Sequence, residues 1–157
     1  MPRNIGTCLW FTDQAEQAAE FYTSVFDGGR VVNVSRFGDG GPGGSGHAAA
    51  VEFEIEGRRF MALNGSRGAP FTAAVSLVVD CENQQTIDRY WNALTAGGSE
   101  GRCGWLTDRF GLTWQIVPTG LPGLIGGPDA AGSRRAMDAM LGMGKLDVDA
   151  LQKAYRG

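Results

Sequence analysis

The chain carries one residue pattern twice, and this repeat constrains the fold more than any other feature of the sequence. In each copy a short apolar run leads into a helix with a tyrosine on its apolar stripe, and a Gly-Gly pair follows. Tyr22 and Tyr90 are 68 residues apart, as are Gly29 and Gly97. A unit of this size is too small to bury its own apolar face. The two copies are therefore expected to pack into a sheet-lined binding cavity.

Hydrophobic periodicity predicts a strand, a helix and three more strands in each copy. In the first copy we expect a strand at 5–11, a helix that ends at Gly28-Gly29 and a strand at 30–37. A hairpin of two strands at 51–55 and 58–64 completes the copy. Asp13 is followed three residues later by Glu16, which predicts that Asp13 caps the helix. In the second copy the elements are strand 73–80, helix 83–95, and strands at 100–108 and 112–117.

Two more helices are expected after Pro128. The first carries Met137, Met140 and Leu141 on an apolar strip, and the second is capped by Asp147. The predicted fold class is therefore α+β, with two tandem βαβββ modules at about 5–65 and 73–118, a cavity, and C-terminal helices.

Composition excludes several functional classes. The net charge of −3 and the isoelectric point near 5.1 argue against a nucleic-acid partner, which requires a clustered basic surface. No run approaches the roughly 18 apolar residues of a membrane span. The three cysteines are odd in number and far apart, which favours reduced thiols over a disulfide framework. The sequence thus predicts a cytoplasmic protein that binds neither nucleic acid nor membrane.

Several short motifs accompany the repeat: Cys8-Leu9-Trp10-Phe11, and the segments 18–22, 60–65, 103–108, 114–118 and 140–147. Together they resemble the vicinal oxygen chelate superfamily, which includes glyoxalase I, extradiol dioxygenases and the bleomycin- and fosfomycin-resistance proteins. They resemble its PhnB-like branch more closely, a domain also labelled "3-demethylubiquinone-9 3-methyltransferase". The resemblance covers nearly the whole chain. It implies one glyoxalase-like domain at 1–126, with a curved sheet around a cavity, and a helical extension at 127–157.

The resemblance also locates the positions where catalytic members hold a divalent metal with His and Glu side chains. Counting from the turns places these four positions at Gly6, Met61, Ala74 and Gln115. Glycine, methionine, alanine and glutamine do not supply the imidazole, carboxylate or thiolate that such metals require. We therefore expect no metal site of the superfamily type.

Strand alternation predicts which side chains line the cavity. The residues expected to point inward are Cys8, Trp10, Met61, Ser76, Thr113 and Gln115, with Asn64, Cys103 and Trp105 near the mouth. Aromatic, thioether, amide and hydroxyl groups in this mixture suit a small organic molecule with one or two polar ends. Glu52 is a further pocket candidate, although Glu52, Glu54 and Glu56 together are typical of one polar strand face.

Nucleophilic and cofactor chemistry has little support in the sequence. His47 is the only histidine, and it ends a glycine-rich loop, so a Cys–His or Ser–His pair would depend on that loop. Gly41, Gly43 and Gly46 fit the dinucleotide-binding pattern, but they lead into a strand where that pattern needs a helix. We therefore expect no cofactor, including S-adenosylmethionine.

Three functional hypotheses remain open. The first is a protein that binds a small organic molecule without a superfamily-type metal. The second is a metal-independent enzyme, either a methyltransferase, as the family label implies, or a catalyst in which Gln115 and Cys103 act on a carbonyl group. The third is an interaction module that uses the C-terminal helices. Because relatives with this fold commonly form homodimers, we also expect a homodimer.

Overall fold

A computed structural model describes residues 5–41 and 43–157 of the chain. The contacts between residues divide it into two compact units, one that extends to Pro70 and one from Phe71 to Gly157. Each unit contains one four-stranded sheet and follows the order strand, helix, three strands. The predicted α+β fold with two βαβββ modules is therefore confirmed. In the described part of the chain, no helix is long and apolar enough to cross a membrane.

The first unit consists of β1 (Thr7–Phe11), α1 (Ala15–Val25), β2 (Arg30–Arg36), β3 (Ala48–Ile55) and β4 (Arg58–Asn64). The sheet order is β1-β4-β3-β2, with β1 parallel to β4 and the other pairs antiparallel. Because side chains alternate along each strand, one face packs on α1. The buried side chains of that face include Leu9, Phe11, Val51, Phe53, Ile55, Phe60 and Ala62.

Helix α1 begins differently from the prediction. Its N-cap residue is Gln14, and no side chain of the preceding turn caps it, so the predicted cap at Asp13 is wrong. The Ala15 N–H donates instead to Asn64 Oδ1 at 2.8 Å, and Asn64 Nδ2 donates to the Ala48 carbonyl at 2.9 Å. A side chain at the end of β4 therefore satisfies the start of α1 and a backbone carbonyl of β3.

The second unit consists of eight elements: β5 (Leu77–Cys81), α2 (Gln84–Thr95), β6 (Ser99–Glu100), β7 (Trp105–Thr107), β8 (Thr113–Pro118), α3 (Leu121–Ile125), α4 (Ala130–Leu141) and α5 (Val148–Arg156). The sheet order is β5-β8-β7-β6, again with the first strand parallel to the last strand of its module. Helix α2 contacts three of these strands, and its buried residues include Ile87 and Trp91.

Two strand predictions in this unit are only partly correct. Strand β5 begins at Leu77, four residues later than expected, because the chain turns first: the Val75 N–H donates to the Thr72 carbonyl at 3.4 Å. The predicted strand at 100–108 is interrupted at 101–104, where Cys103 and Gly104 both have positive φ, at 57° and 81°. A left-handed pair of this kind reverses the chain.

The C-terminal helices belong to the same compact unit as the second sheet. Asp147 caps α5 as predicted, because its Oδ1 accepts the Ala150 N–H at 2.8 Å. The Gln84 side chain of α2 donates to the Leu146 carbonyl at 3.0 Å and accepts the Val148 N–H at 2.9 Å. Helix α3 was not expected. The domain limits of 1–126 and 127–157 stay a prediction.

Candidate functional site

The open face of the first sheet, defined as the face that α1 does not cover, places side chains from several strands in one row. Cys8 of β1 is paired with Met61 of β4, Met61 with Glu52 of β3, and Glu52 with Asn33 of β2. Paired residues point to the same side of a sheet. Trp10 lies two residues after Cys8, in the next row of the same face. The structure therefore brings Cys8, Trp10 and Met61 to one surface.

Two large apolar side chains of this face are exposed. Trp10 retains 49% of its accessible surface and Met61 retains 39%. Met61 lines a cavity of about 300 Å³ together with Gly6, Thr7, Cys8, Glu52, Arg59 and Phe60, whereas Trp10 lies on the same face outside this lining. Tryptophan and methionine are normally buried, so the exposure of both on one sheet face is unusual.

Two glutamates of β3, Glu54 and Glu52, differ in their arginine partners. Glu54 binds Arg30 at 2.5 Å and Arg59 at 3.1 Å, and the hydrogen bonds from Arg59 and Arg30 lower the pKa of the Glu54 carboxyl. The Glu52 carboxylate, by contrast, has no hydrogen bond or ion pair within residues 5–41 and 43–157. Glu52 thus lines the cavity without a hydrogen-bond partner among the described residues, and Arg59 lines the same cavity. Arg59 lies two residues before Met61 on β4 and therefore points to the same face. This spacing is visible in the sequence, but the sequence-based prediction did not include Arg59 among the site residues.

The second sheet has a corresponding open face, opposite to α2. Val78, Gln115 and Trp105 form one row on β5, β8 and β7, and Val78 is 55% exposed. Gln115 Nε2 donates to Ser76 Oγ at 2.8 Å, so two predicted site residues contact each other. Thr113 points to the same side of β8 but is buried. Within the second unit, the structure therefore brings together Ser76, Gln115 and Trp105.

The superfamily's metal does not fit the residues at the four expected positions. Gly6 and Met61 belong to the first unit, and Ala74 and Gln115 to the second. Ala74 lies in the turn before β5, outside the strand that was expected to carry it. The donor set contains one thioether and one amide, which do not hold Mn²⁺ or Zn²⁺. Among the described residues, no three His, Cys, Asp or Glu side chains are grouped to hold a metal ion.

Cys103 is held by the C-terminal segment of its own unit. Its N–H donates to the Met143 carbonyl at 2.8 Å, and its Sγ lies 3.6 Å from the Met140 carbonyl. The sulfur is thus occupied as a weak donor. Cys81 is buried, and burial raises the pKa of its thiol to about 11. The Cys81 thiol is therefore not activated as a nucleophile.

Asn64 lies on a different groove of the first unit. This groove has a volume of about 710 Å³ and is lined by Asp13, Gln14, Glu16, Gln17, Glu20, Arg36, Ser45, Gly46, His47, Ala48 and Asn64. Arg36 binds both carboxylate oxygens of Glu16, at 2.7 and 3.0 Å, and this hydrogen bonding lowers the pKa of the Glu16 carboxyl. The pairing of residues 20 positions apart has no signal in the sequence. Residues 48–55, directly after His47, form a strand as predicted, whereas the dinucleotide-binding pattern requires a helix at this point.

Two tandem βαβββ modules, each with one sheet face left open by its helix, define a protein of the vicinal oxygen chelate fold class. A family model described as "3-demethylubiquinone-9 3-methyltransferase" matches residues 3–117. The chain belongs to this family, the PhnB-like branch of the superfamily. The match ends before α3, so the tail motif at 140–147 lies outside it, and the expected coverage of nearly the whole chain was too wide.

Solved structures agree with this assignment. A putative 3-demethylubiquinone-9 3-methyltransferase, PhnB protein, from Bacillus cereus is 34% identical, with a TM-score of 0.69 over 74% of this chain and 99% of that one. A Pseudomonas aeruginosa protein is 22% identical, with a TM-score of 0.62 over 74% and 98%. The fosfomycin resistance protein FosX from Mesorhizobium loti is 15% identical, with a TM-score of 0.51 over 74% and 90%. No curated protein matches the chain.

Proposed function

We propose that this protein binds a small organic molecule on the open face of its first sheet, without a metal of the superfamily type. The observation that carries the proposal is the joint exposure of Trp10 and Met61 on one sheet face, where Met61 also lines a cavity of about 300 Å³. Ligand pockets begin at about this volume, so the ligand is small. Burial of the two side chains against a ligand removes apolar surface from water, at about 25 cal/mol per Å².

The polar groups of the cavity orient the ligand. Glu52 offers a carboxylate without a protein partner, and Arg59 has guanidinium nitrogens beyond the Nε that binds Glu54. Trp10 and Met61 contact the apolar body of the molecule. A ligand with one apolar part and polar ends fits this arrangement of groups.

The open face of the second sheet is a second binding surface under this proposal. The Ser76 hydroxyl accepts from Gln115 Nε2, and Gln115 Oε1 accepts no hydrogen bond within the described residues. The pair thus presents one hydroxyl donor and one carbonyl acceptor to a ligand. Trp105 adds an aromatic surface in the same row.

Binding has more support than the chemistry considered as an alternative. Carbonyl chemistry would assign attack to Cys103 and polarisation to Gln115, but Cys103 Sγ interacts with the Met140 carbonyl and Gln115 donates to Ser76. Methyl transfer is the activity in the family description, and no observed contact favours it over binding. A homodimer in solution and a cytoplasmic location complete the proposal; a monomer by light scattering at micromolar concentration would contradict the dimer.

Native mass spectrometry tests the proposed function. The protein is mixed with a bacterial metabolite extract and exchanged into volatile buffer, and the retained adducts are identified by mass. We expect a small organic adduct that is lost in Met61→Lys and Trp10→Ala. Leu141→Ala is the matched control, because Leu141 is also an exposed apolar residue but lies on α4. Adducts that survive both site substitutions would contradict the location.

A further inference from the structure

Helix α4 exposes one stripe of side chains, and the order of residues along this stripe is self-complementary. The helix contacts α3 and α5, and its buried residues include Ser133 and Ala136. The opposite side of the helix carries exposed residues at a spacing that keeps side chains on a single face. These residues, which we call the α4 stripe, are Ala131, Arg134, Asp138 and Leu141. Leu141 is an apolar residue and yet retains 54% of its accessible surface.

The two charged residues of the α4 stripe are not used to hold their own chain together. Arg134 and Asp138 are one helical turn apart, but neither side chain makes a hydrogen bond or an ion pair in the part of the chain that the structure describes. The neighbouring Arg135, by contrast, donates to the last carbonyls of α5, at 2.9 Å to Ala154 and 2.6 Å to Tyr155. The Arg134 guanidinium and the Asp138 carboxylate are therefore available to a partner outside the chain.

The order of the α4 stripe fits a second copy of the same helix. Arg134 and Asp138 lie two positions before and after Ala136, and Ala131 and Leu141 lie five positions before and after it. In an antiparallel pair of α4 helices with a two-fold axis at this height, each residue faces the one at the same distance on the other side. Each Arg134 then faces the second copy's Asp138. Each Leu141 faces the second copy's Ala131, so that a large side chain packs against a small one.

We propose that α4 is the contact between two copies of this chain, in an antiparallel pair with two Arg134–Asp138 ion pairs and with Leu141 packed on Ala131. The inference rests on the homodimer of the proposed function but not on its ligand. The residues that the family model matches end at 117, before α4, so the contact uses a part of the chain outside that match. A helix of 12 residues is about 18 Å long, less than a standard interface spans, so the dimer should dissociate on dilution.

Sedimentation velocity over a series of protein concentrations measures the dissociation constant of the dimer. The two-fold axis doubles every contact, so Arg134→Asp replaces two attractive pairs by two repulsive ones, and Asp138→Arg does the same. We expect each single reversal to raise the dissociation constant at least about tenfold, and the double variant Arg134→Asp/Asp138→Arg to return it to within about threefold of wild type. Arg58→Asp is the matched control, because it makes the same change of charge at an exposed residue of β4.

The same measurements contain the outcomes that overturn the proposal. A wild-type monomer at every concentration would overturn both the homodimer and this contact. A dimer whose dissociation constant is unchanged in both single reversals would overturn the contact alone. A double variant as weak as the single reversals would overturn the pairing of Arg134 with Asp138. The organic adduct should persist in all these variants, because its site is on the first sheet, so loss of the dimer and loss of the ligand are distinguishable. The substituted residues are exposed, so circular dichroism of each variant should match that of wild type.

Discussion

Asp108 offers the sharpest test of how the second unit is held together. Its side chain is buried and accepts three hydrogen bonds: from the Phe110 N–H at 2.8 Å, the Leu112 N–H at 3.1 Å, and Trp114 Nε1 at 2.8 Å. One carboxylate therefore fixes both the turn between β7 and β8 and the largest side chain of β8. Asp108→Ala removes both acceptor oxygens and therefore all three of these hydrogen bonds at once.

The expected cost follows from these contacts. A hydrogen bond to a charged group contributes about 1.5–3 kcal/mol, and each buried donor left without an acceptor costs about 1–3 kcal/mol. The three bonds share one carboxylate and are not additive, so we expect Asp108→Ala to lower the free energy of unfolding by about 3–5 kcal/mol. At roughly 2–4 °C per kcal/mol for a chain of this size, the melting temperature should fall by about 6–20 °C.

Urea unfolding followed by far-ultraviolet circular dichroism measures the change, and two variants refine it. Asp108→Asn keeps an oxygen for the two backbone donors and should lose less than Asp108→Ala. Trp114→Phe removes the indole donor together with part of a buried ring, so it also costs packing energy. Only the part of its effect that comes from the hydrogen bond to Asp108 should fail to add to the effect of Asp108→Asn. A loss below about 1 kcal/mol in Asp108→Ala, the size expected for an ordinary surface change, would refute the assignment.

Three further predictions concern the first unit and the thiols. Asn64→Ala should lower the free energy of unfolding, measured by thermal denaturation, by about 2 kcal/mol, because it leaves the first N–H of α1 unsatisfied. Asp13→Asn should lower it by less than about 1 kcal/mol, and equal losses in the two variants would contradict this assignment. The hydrogen bond with Arg36 lowers the pKa of the Glu16 carboxyl in the folded state. The stabilisation from this pair is therefore complete above pH 4.5, the ordinary pKa of the carboxyl, and is lost as the pH falls through the lowered folded-state pKa. The melting difference between wild type and Glu16→Gln should therefore vanish in acid, and a difference that persists there would be inconsistent. Iodoacetamide at mildly alkaline pH should alkylate the exposed Cys8 and spare Cys81, whose pKa is about 11; mass spectrometry of peptides checks this, and native-state labelling of Cys81 would count against it.

Features governed by local periodicity were predictable from the sequence. Alternation along β1 separates Leu9 and Phe11, which are buried, from Cys8 and Trp10 on the open face. The cap at Asp147 is local in the same sense, because its acceptor and the Ala150 donor are three residues apart. Such features depend on a few consecutive residues and need no knowledge of tertiary contacts.

Features that join distant segments were not predictable. Asn64 caps a helix 49 positions away and thereby replaces the local candidate Asp13. The Cys103 sulfur and N–H interact with the end of α4 and the segment after it, a contact between distant residues for which the sequence has no local signal. The true start of β5 depends on a turn at Thr72, which apolar alternation does not reveal. In each case a tertiary or turn hydrogen bond overrode the local pattern.

The central claim, that a small organic molecule binds on the open face of the first sheet, is tested most directly by methyl NMR. The chain has five methionines, so ¹³C-methyl labelling gives few signals, and the Met61→Leu variant assigns the one on β4. The compound retained in native mass spectrometry is then titrated into the labelled protein. We predict a saturable shift of the Met61 methyl signal, with those of Met137 and Met140 on α4 unchanged. A saturable shift of the α4 methyl signals with no response at Met61 would contradict the claim.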